Sequence, residues 1–218
     1  MPRQPYLPTY SRFKYTIGAL VVKERPELCA VIGKCISLWS HVDNEMGNLL
    51  GILLGTETEA ALEVFLTLRK ASNQREALNA AAKHKLSGKE KQVFEAILQV
   101  YSSLENQRND LAHGCFGICP DDADILFWIE LKHHIHFQVE VLANEANGKF
   151  ENDRHARLKP HLFAYRKSDL ESLYSQMEEF WRIIFYFNGY LRNPSDLDRQ
   201  AEYHRLQAFQ LIKNALKK

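Results

Sequence analysis

The chain has 218 residues, of which 45% are hydrophobic and 25% are charged, as in a globular protein whose core needs no disulfide or metal cross-links. Its formal net charge of +1 excludes a global basic field for nucleic acid, so an RNA or DNA contact has to come from a local patch. No apolar run approaches the ~18 residues of a membrane span, and neither a signal segment nor tightly paired cysteines are found, so we expect a cytoplasmic protein without a membrane segment.

Residues 1–26 are rich in proline and tyrosine, and the repeated prolines argue against a long helix there. We expect an N-terminal arm that packs on the domain through its aromatic side chains. A short strand is predicted within it, at about residues 16–22.

Between residues 27 and 86, apolar residues recur at steps of three and four, which predicts three helices. The first covers residues 27–54, and Gly55 is expected to end it as the residue after the C-cap. The second begins at Thr56 or Thr58 and ends at Arg69. The third is expected to begin at Asn73, which forms a capping-box pattern with the glutamate three residues later.

A fourth helix is predicted from about Lys89 to His113 because its apolar seam continues without interruption to Leu104 and resumes at Leu111. Arg108 occupies a position that the same spacing assigns to the buried stripe. A guanidinium there is costly unless it is paired or faces an interface or a cleft. Gly114 follows as an expected helix stop.

After Gly114 the composition becomes β-like. Strands are predicted at 125–131 and 134–142, where β-branched and aromatic residues alternate with polar ones, and a last short strand at 161–165. The segment before that last strand is polar, and its basic side chains could contact phosphate, although a solvated loop is the commoner interpretation. These candidate substrate-binding residues are Arg154, His155, Arg157 and Lys159.

A capping-box pattern at Ser168 opens a fifth long helix, which ends at Asn193, and Ser195 is expected to cap a final amphipathic helix to Lys218. The predicted fold is mainly α: an up-and-down bundle of four to five long helices with a small β insert between the fourth and the fifth. The predicted organisation is an arm (1–26), the bundle (27–193, with the insert at about 115–166) and a C-terminal helix (194–218).

Arg108, Asn109 and His113 bring three polar groups together where the fourth helix should end. Arginine offers a fork that suits a phosphate, histidine moves protons near neutral pH, and asparagine can orient the histidine or bind a substrate oxygen. Together they could cleave an RNA phosphodiester without a metal, with the 2′-hydroxyl as the internal nucleophile. Arg108 lies about 140° around the helix from His113, so fraying at His113 or a second copy of the chain would be needed to join them.

A structural interpretation of the same residues is that Arg108 pairs with a buried carboxylate such as Glu45 or Asp43. His113 would then only mark the end of a helix. On geometry alone this interpretation ranks ahead of catalysis.

The run from Arg108 and Asn109 to His113, at the end of a long helix in a mainly α chain, resembles the signature of the HEPN superfamily. The first predicted helix, with Trp39 and Glu45 before a leucine-rich end, is also similar to the opening helix of that family. The resemblance covers roughly residues 27–193. It does not extend to the β insert, the proline-rich arm or the C-terminal helix.

The resemblance implies a homodimeric endoribonuclease that cleaves RNA without a metal or a cofactor. Such enzymes belong to toxin–antitoxin, abortive-infection and antiviral defence systems, so an antitoxin protein is a candidate partner. It implies that His113 is the acid and base, that Arg108 stabilises the phosphate and that Asn109 positions His113 or the substrate. The alternative is a non-catalytic HEPN-like helical module that binds a protein partner or a nucleotide. A third interpretation is a purely structural bundle that oligomerises through aromatic residues of the fifth helix.

Other polar groups predict no metal site. His134 and His136 would share a face of the predicted strand at 134–142, but no carboxylate or cysteine at ligand spacing completes a set. Cys115 and Cys119 lack a second pair, and Asp121 with Asp122 is explained by a turn.

Overall fold

A computed structural model describes residues 4–5, 14–56, 58–148, 157–193 and 195–217, the first pair by its backbone only. Within these ranges the chain is mainly helical, which confirms the mainly α part of the prediction. The helices are α1 (Pro26–Leu54), α2 (Thr58–Thr67), α3 (Ala71–Lys85), α4 (Gly88–His113), α5 (Leu131–Ala146), α6 (Lys167–Arg192), α7 (Asp196–Ala208) and α8 (Gln210–Leu216).

A small antiparallel sheet accompanies the helices. Its strands are β1 (Gln4–Pro5), β2 (Thr16–Ile17), β3 (Gly114–Cys119), β4 (Asp122–Glu130) and β5 (Leu162–Arg166), in the order β1-β5-β4-β3-β2. Both edges of β4 are therefore occupied, by β3 and by β5. No helix formed by the described residues combines the length and the apolar character that crossing a membrane requires.

The chain divides into two compact units. We call Met1–Ile36 with Asn106–Tyr174 the sheet unit, and Ser37–Glu105 with Ser175–Lys218 the helical unit. The sheet unit contains the sheet, α5 and the end of α4. The helical unit contains α2, α3, α7 and α8 with the larger parts of α1, α4 and α6.

The core of the sheet unit lies around β4, whose residues from Ile125 to Ile129 are at most 2% exposed. Ile125, Phe127 and Ile129 belong to one apolar cluster on one face of the sheet, and Phe137 of α5 packs against this cluster. A continuous apolar run in a strand is expected where both of its faces are covered.

The core of the helical unit is aromatic. The ring of Tyr101 stacks on Trp39 at 5.4 Å and on Phe180 at 6.2 Å between centroids, an arrangement that contributes beyond the area buried. Its hydroxyl group lies 3.3 Å from Asp43 Oδ1 and 3.3 Å from Gln74 Oε1, so the polar end of the ring is also satisfied.

The segment 134–142, predicted as a strand, is part of the helix α5. Its alternating pattern was misleading because both edges of β4 are already paired, so the next segment cannot add to that strand. It covers the sheet instead, with Phe137 facing the apolar cluster. As a result Leu131, Ile135, Val139 and Leu142 form a stripe on α5 that is exposed in the described part of the chain.

Three helix boundaries differ from the prediction. The third helix begins at Ala71 with Lys70 as its N-cap residue, so Asn73 lies inside it. The helix α6 begins at Lys167, and Asp169 Oδ2 accepts a hydrogen bond of 2.9 Å from the backbone N–H of Arg166, which is half of a capping box whose N-cap position lies two residues before the predicted Ser168. The segment predicted as one final helix forms two helices, α7 and α8, because the backbone of Phe209 between them is extended, with ψ 132°.

The predicted strand at 16–22 is shorter than expected. It ends at Ile17 and is followed by a 3₁₀ turn over Val21–Glu24. Gly55 adopts a φ of 66°, which confirms its prediction as the left-handed residue that ends the first helix.

Candidate functional site

The residues Arg108, Asn109 and His113 all lie in the last turns of α4, within the sheet unit. Arg108 and Asn109 are half-buried, and Nη1 of Arg108 donates a hydrogen bond of 3.0 Å to Oδ1 of Asn109. His113 is exposed and is the last residue of the helix. The last turns of α4 therefore carry an exposed imidazole and, about 140° away around the helix, a half-buried guanidinium that donates to a neighbouring amide.

The last turn of α4 is held by Trp128 of β4. The last carbonyl groups of a helix are often bonded by groups from outside the helix, and Asp110 lies in the last turn of α4. The indole Nε1 of Trp128 donates to this carbonyl at 2.6 Å. This contact joins the end of α4 to the central strand of the sheet and so positions the Arg108–His113 segment.

The helix α4 ends directly before Gly114, as predicted, but Gly114 does not have a positive φ, and it is the contact with Trp128 that requires a glycine there. Gly114 is the first residue of β3, and the glycines with positive φ in the described residues are Gly55, Gly88 and Gly148. A Cβ at Gly114 would lie 1.7 Å from Nε1 of Trp128. The absence of a side chain lets the indole reach the helix end.

The two carboxylates considered as partners of Arg108 have contacts within the helical unit. Glu45 Oε2 accepts from Nδ2 of Asn188 at 2.8 Å, and Asp43 Oδ1 lies 3.3 Å from the Tyr101 hydroxyl group. The pairing of Arg108 with either carboxylate stays a prediction.

The predicted substrate-binding run is only partly described. Arg154 and His155 lie outside the described residues. Arg157 forms an exposed ion pair with Glu140 of α5, and Lys159 is half-buried in a 3₁₀ turn before β5. Such a pair contributes about 0–1 kcal/mol to stability, but it does offset the charge of one cation in this run.

The helical conformation of α5 points its three histidine side chains in different directions. His133 stacks on His161 with 3.8 Å between ring centroids, and its pKa is lowered by burial and by the neighbouring charges of His161 and Lys132. Burial also lowers the pKa of His134, whereas His136 is exposed. In the described ranges, no three His, Cys, Asp or Glu side chains form a group that could hold a metal ion.

A cavity of about 380 Å³ opens beside the motif, and the sequence interpretation missed it. We call it the β2–β3 cavity; it is lined by Ile17, Gly18, Ala19, Val22, Gly114, Cys115, Phe116, His134 and Gln138. Its polar side chains come from α5, where His134 and Gln138 are one turn apart. The available signal was their four-residue spacing, which has meaning only on a helix.

Comparison of the chain with protein-family models, with curated proteins and with solved structures gave no match.

Proposed function

We propose that this chain is a metal-independent endoribonuclease of the HEPN type that acts on RNA as a homodimer. The observation that carries the proposal is the complete set of Arg108, Asn109 and His113 at the end of α4, with His113 exposed and Arg108 oriented by Asn109 at 3.0 Å. A group that transfers protons must be within reach of the substrate, and an oriented guanidinium binds a phosphate with less loss of freedom.

The residues take the following roles. His113 removes the proton from the ribose 2′-hydroxyl, whose oxygen attacks the adjacent phosphorus while the bond to the 5′-oxygen breaks. The His113 imidazolium formed in this way gives its proton to the leaving oxygen, so the products are a 2′,3′-cyclic phosphate and a 5′-hydroxyl end. Arg108 stabilises the negative charge that develops on the phosphate oxygens. Asn109 positions Arg108, because its side-chain oxygen accepts from that guanidinium.

The homodimer is supported by the regularity of α4. The helix continues through His113, so helical periodicity keeps the Arg108 and His113 side chains about 140° apart. Without fraying, a second copy would bring the guanidinium of one chain and the imidazole of the other to one phosphate. The family resemblance also implies a role in a toxin–antitoxin or antiviral system with an antitoxin partner. The apolar periodicity favours an up-and-down arrangement of the long helices, and the composition favours a cytoplasmic location.

The test is cleavage of single-stranded RNA by the purified full chain in the presence of EDTA. We expect products with 2′,3′-cyclic phosphate ends, and a loss of about 10²–10⁴-fold in rate in His113→Ala, the usual contribution of a general acid or base. His84→Ala is the matched control, because His84 is also an exposed histidine in the last turn of a helix. Equal rates in wild type and His113→Ala would refute the proposal.

The dimeric site has its own test, in which Arg108→Ala and His113→Ala chains are mixed. If Arg108 of one copy serves His113 of the other, a mixed dimer contains one complete site and one empty site. Cleavage by the mixture, with neither variant active alone, is the expected result. An inactive mixture of variants that do associate would exclude a composite site and leave the cleavage result standing.

The second candidate is a non-catalytic HEPN-like module that binds a protein partner or a nucleotide. It is favoured by the net charge of +1 and by the ion pair of Arg157 with Glu140, since both weaken the attraction of a polyanion. This candidate predicts no cleavage by wild type, with binding that His113→Ala leaves unchanged.

A further inference from the structure

The β2–β3 cavity begins one residue beyond His113, because Gly114 contributes to its wall. Its volume of about 380 Å³ lies near the lower end of the roughly 300–1,000 Å³ typical of small-molecule sites. The cavity lies within the sheet unit, as does the Arg108–His113 segment. The wall of the cavity and His113 are therefore joined by a single peptide bond.

The walls are apolar on one side and polar on the other. Ile17, Ala19 and Val22 come from β2 and the turn that follows it. His134 and Gln138 come from α5, four residues apart, so both lie on one face of that helix. Such a lining suits a flat ring with hydrogen-bonding groups along one edge.

His134 has an unused hydrogen-bonding capacity. Its Nδ1 is buried and has no hydrogen-bond partner among the described residues. Because burial lowers the pKa of His134, the neutral ring, with one donor and one acceptor nitrogen, is favoured. His134 then offers a donor or an acceptor, while the amide of Gln138 offers both a donor and an acceptor.

We propose that the β2–β3 cavity receives the nucleobase next to the cleaved phosphodiester, and that His134 and Gln138 recognise the edge of that base. The inference rests on the proposed ribonuclease function and names its substrate class, single-stranded RNA. A base can enter a cavity only when it is unpaired and turned out of its stack. His134 and Gln138 are specificity residues in this scheme and take no part in proton transfer.

Binding is tested without cleavage through Cys115, which lines the cavity. The alkylation rate of Cys115 is measured by mass spectrometry on the His113→Ala chain, with each of the four nucleoside 3′-monophosphates or with ribose 5-phosphate as the probe without a base. We expect about tenfold slower alkylation with the preferred nucleotide and almost none of this protection with ribose 5-phosphate. Equal protection by ribose 5-phosphate, or none by any nucleotide, overturns the proposal.

Specificity is tested on single-stranded RNAs that differ in one base at the cleaved position. Gln138→Leu is expected to reduce the discrimination between bases by about tenfold while cleavage continues, since a lost hydrogen bond to the base changes selectivity more than chemistry. Gln92→Leu is the matched control, because Gln92 is an exposed glutamine on α4 that does not line the cavity. Unchanged discrimination in both Gln138→Leu and His134→Ala overturns the proposal.

RNA cleavage and the alkylation of Cys115 together distinguish the ribonuclease proposal from the proposed base site. Cleavage by wild type without nucleotide protection of Cys115 would leave the ribonuclease proposal standing and refute the base site. Protection by a nucleotide without cleavage would refute the ribonuclease proposal and support recognition of a base in the cavity.

Discussion

Replacing Gly114 with alanine should loosen the end of α4. The new Cβ would lie 1.7 Å from Nε1, 2.3 Å from Cε2 and 2.5 Å from Cδ1 of Trp128, distances at which the indole has to move. Trp128 is only 2% exposed and is enclosed in the sheet unit, so it has little space into which it can shift. Movement would also break its hydrogen bond of 2.6 Å to the Asp110 carbonyl.

The expected loss of stability is the sum of the steric cost and the cost of the broken hydrogen bond. Overpacking of a close-packed core costs about 1–3 kcal/mol. A buried donor left without its acceptor costs about 1–3 kcal/mol more. We therefore expect Gly114→Ala to lower the free energy of unfolding by about 2–6 kcal/mol, a large part of the roughly 5–15 kcal/mol of a typical domain.

The assay is urea unfolding followed by tryptophan fluorescence, with Gly33→Ala as the matched control. Gly33 is an exposed residue of α1, and a Cβ there would meet no atom within 4 Å. That control should gain about 0.5–1 kcal/mol from helix propensity. In a Trp128→Phe background the cost of Gly114→Ala should fall, since the clashing nitrogen is gone. A Gly114→Ala protein as stable as the Gly33→Ala control would refute the reasoning.

Two further predictions concern stability. Burial raises the pKa of the Cys35 thiol from its ordinary 9.0 to about 11. The stability that the protonated thiol gives the folded protein is therefore complete below pH 9 and is lost as the pH rises through 11. Wild type should lose about 2 kcal/mol between pH 8 and pH 11 that Cys35→Ala does not lose, measured by urea unfolding at both values; equal losses would contradict this. Asp169→Ala removes the acceptor of the Arg166 N–H and should lower the free energy of unfolding by about 1 kcal/mol, whereas Asp169→Asn, which keeps an oxygen, should lose less. Equal losses in the two variants, measured by thermal unfolding, would show that the cap contributes nothing.

The long helices were predictable because their apolar residues repeat locally. The seam from Ile32 to Leu53 on α1 and the seam from Leu170 to Phe187 on α6 are both buried as the spacing indicates. The ends of the helices were predicted less accurately. Phe209 divides the final segment into α7 and α8, and its ring lies 5.9 Å from that of Tyr186, a contact between residues far apart in the chain.

The candidate site was predictable in its residues but not in its surroundings. The spacing of Arg108, Asn109 and His113 placed them correctly on the last turns of α4. It did not indicate that Asn109 binds Arg108, because the choice between neighbouring side chains depends on rotamers that the packing selects. The β2–β3 cavity was missed because α5 was interpreted as a strand.

By itself, the sequence determined the long helices α1, α4 and α6 and the position of the three motif residues at the end of one of them. Both properties depend on hydrogen bonds and side-chain contacts between residues three or four apart. Only the tertiary structure decided that the segment after β4 is a helix and that Gly114 makes room for Trp128. The physical reason is that these outcomes depend on which strands occupy the edges of β4 and on a contact across the β3–β4 pair, where distant segments meet.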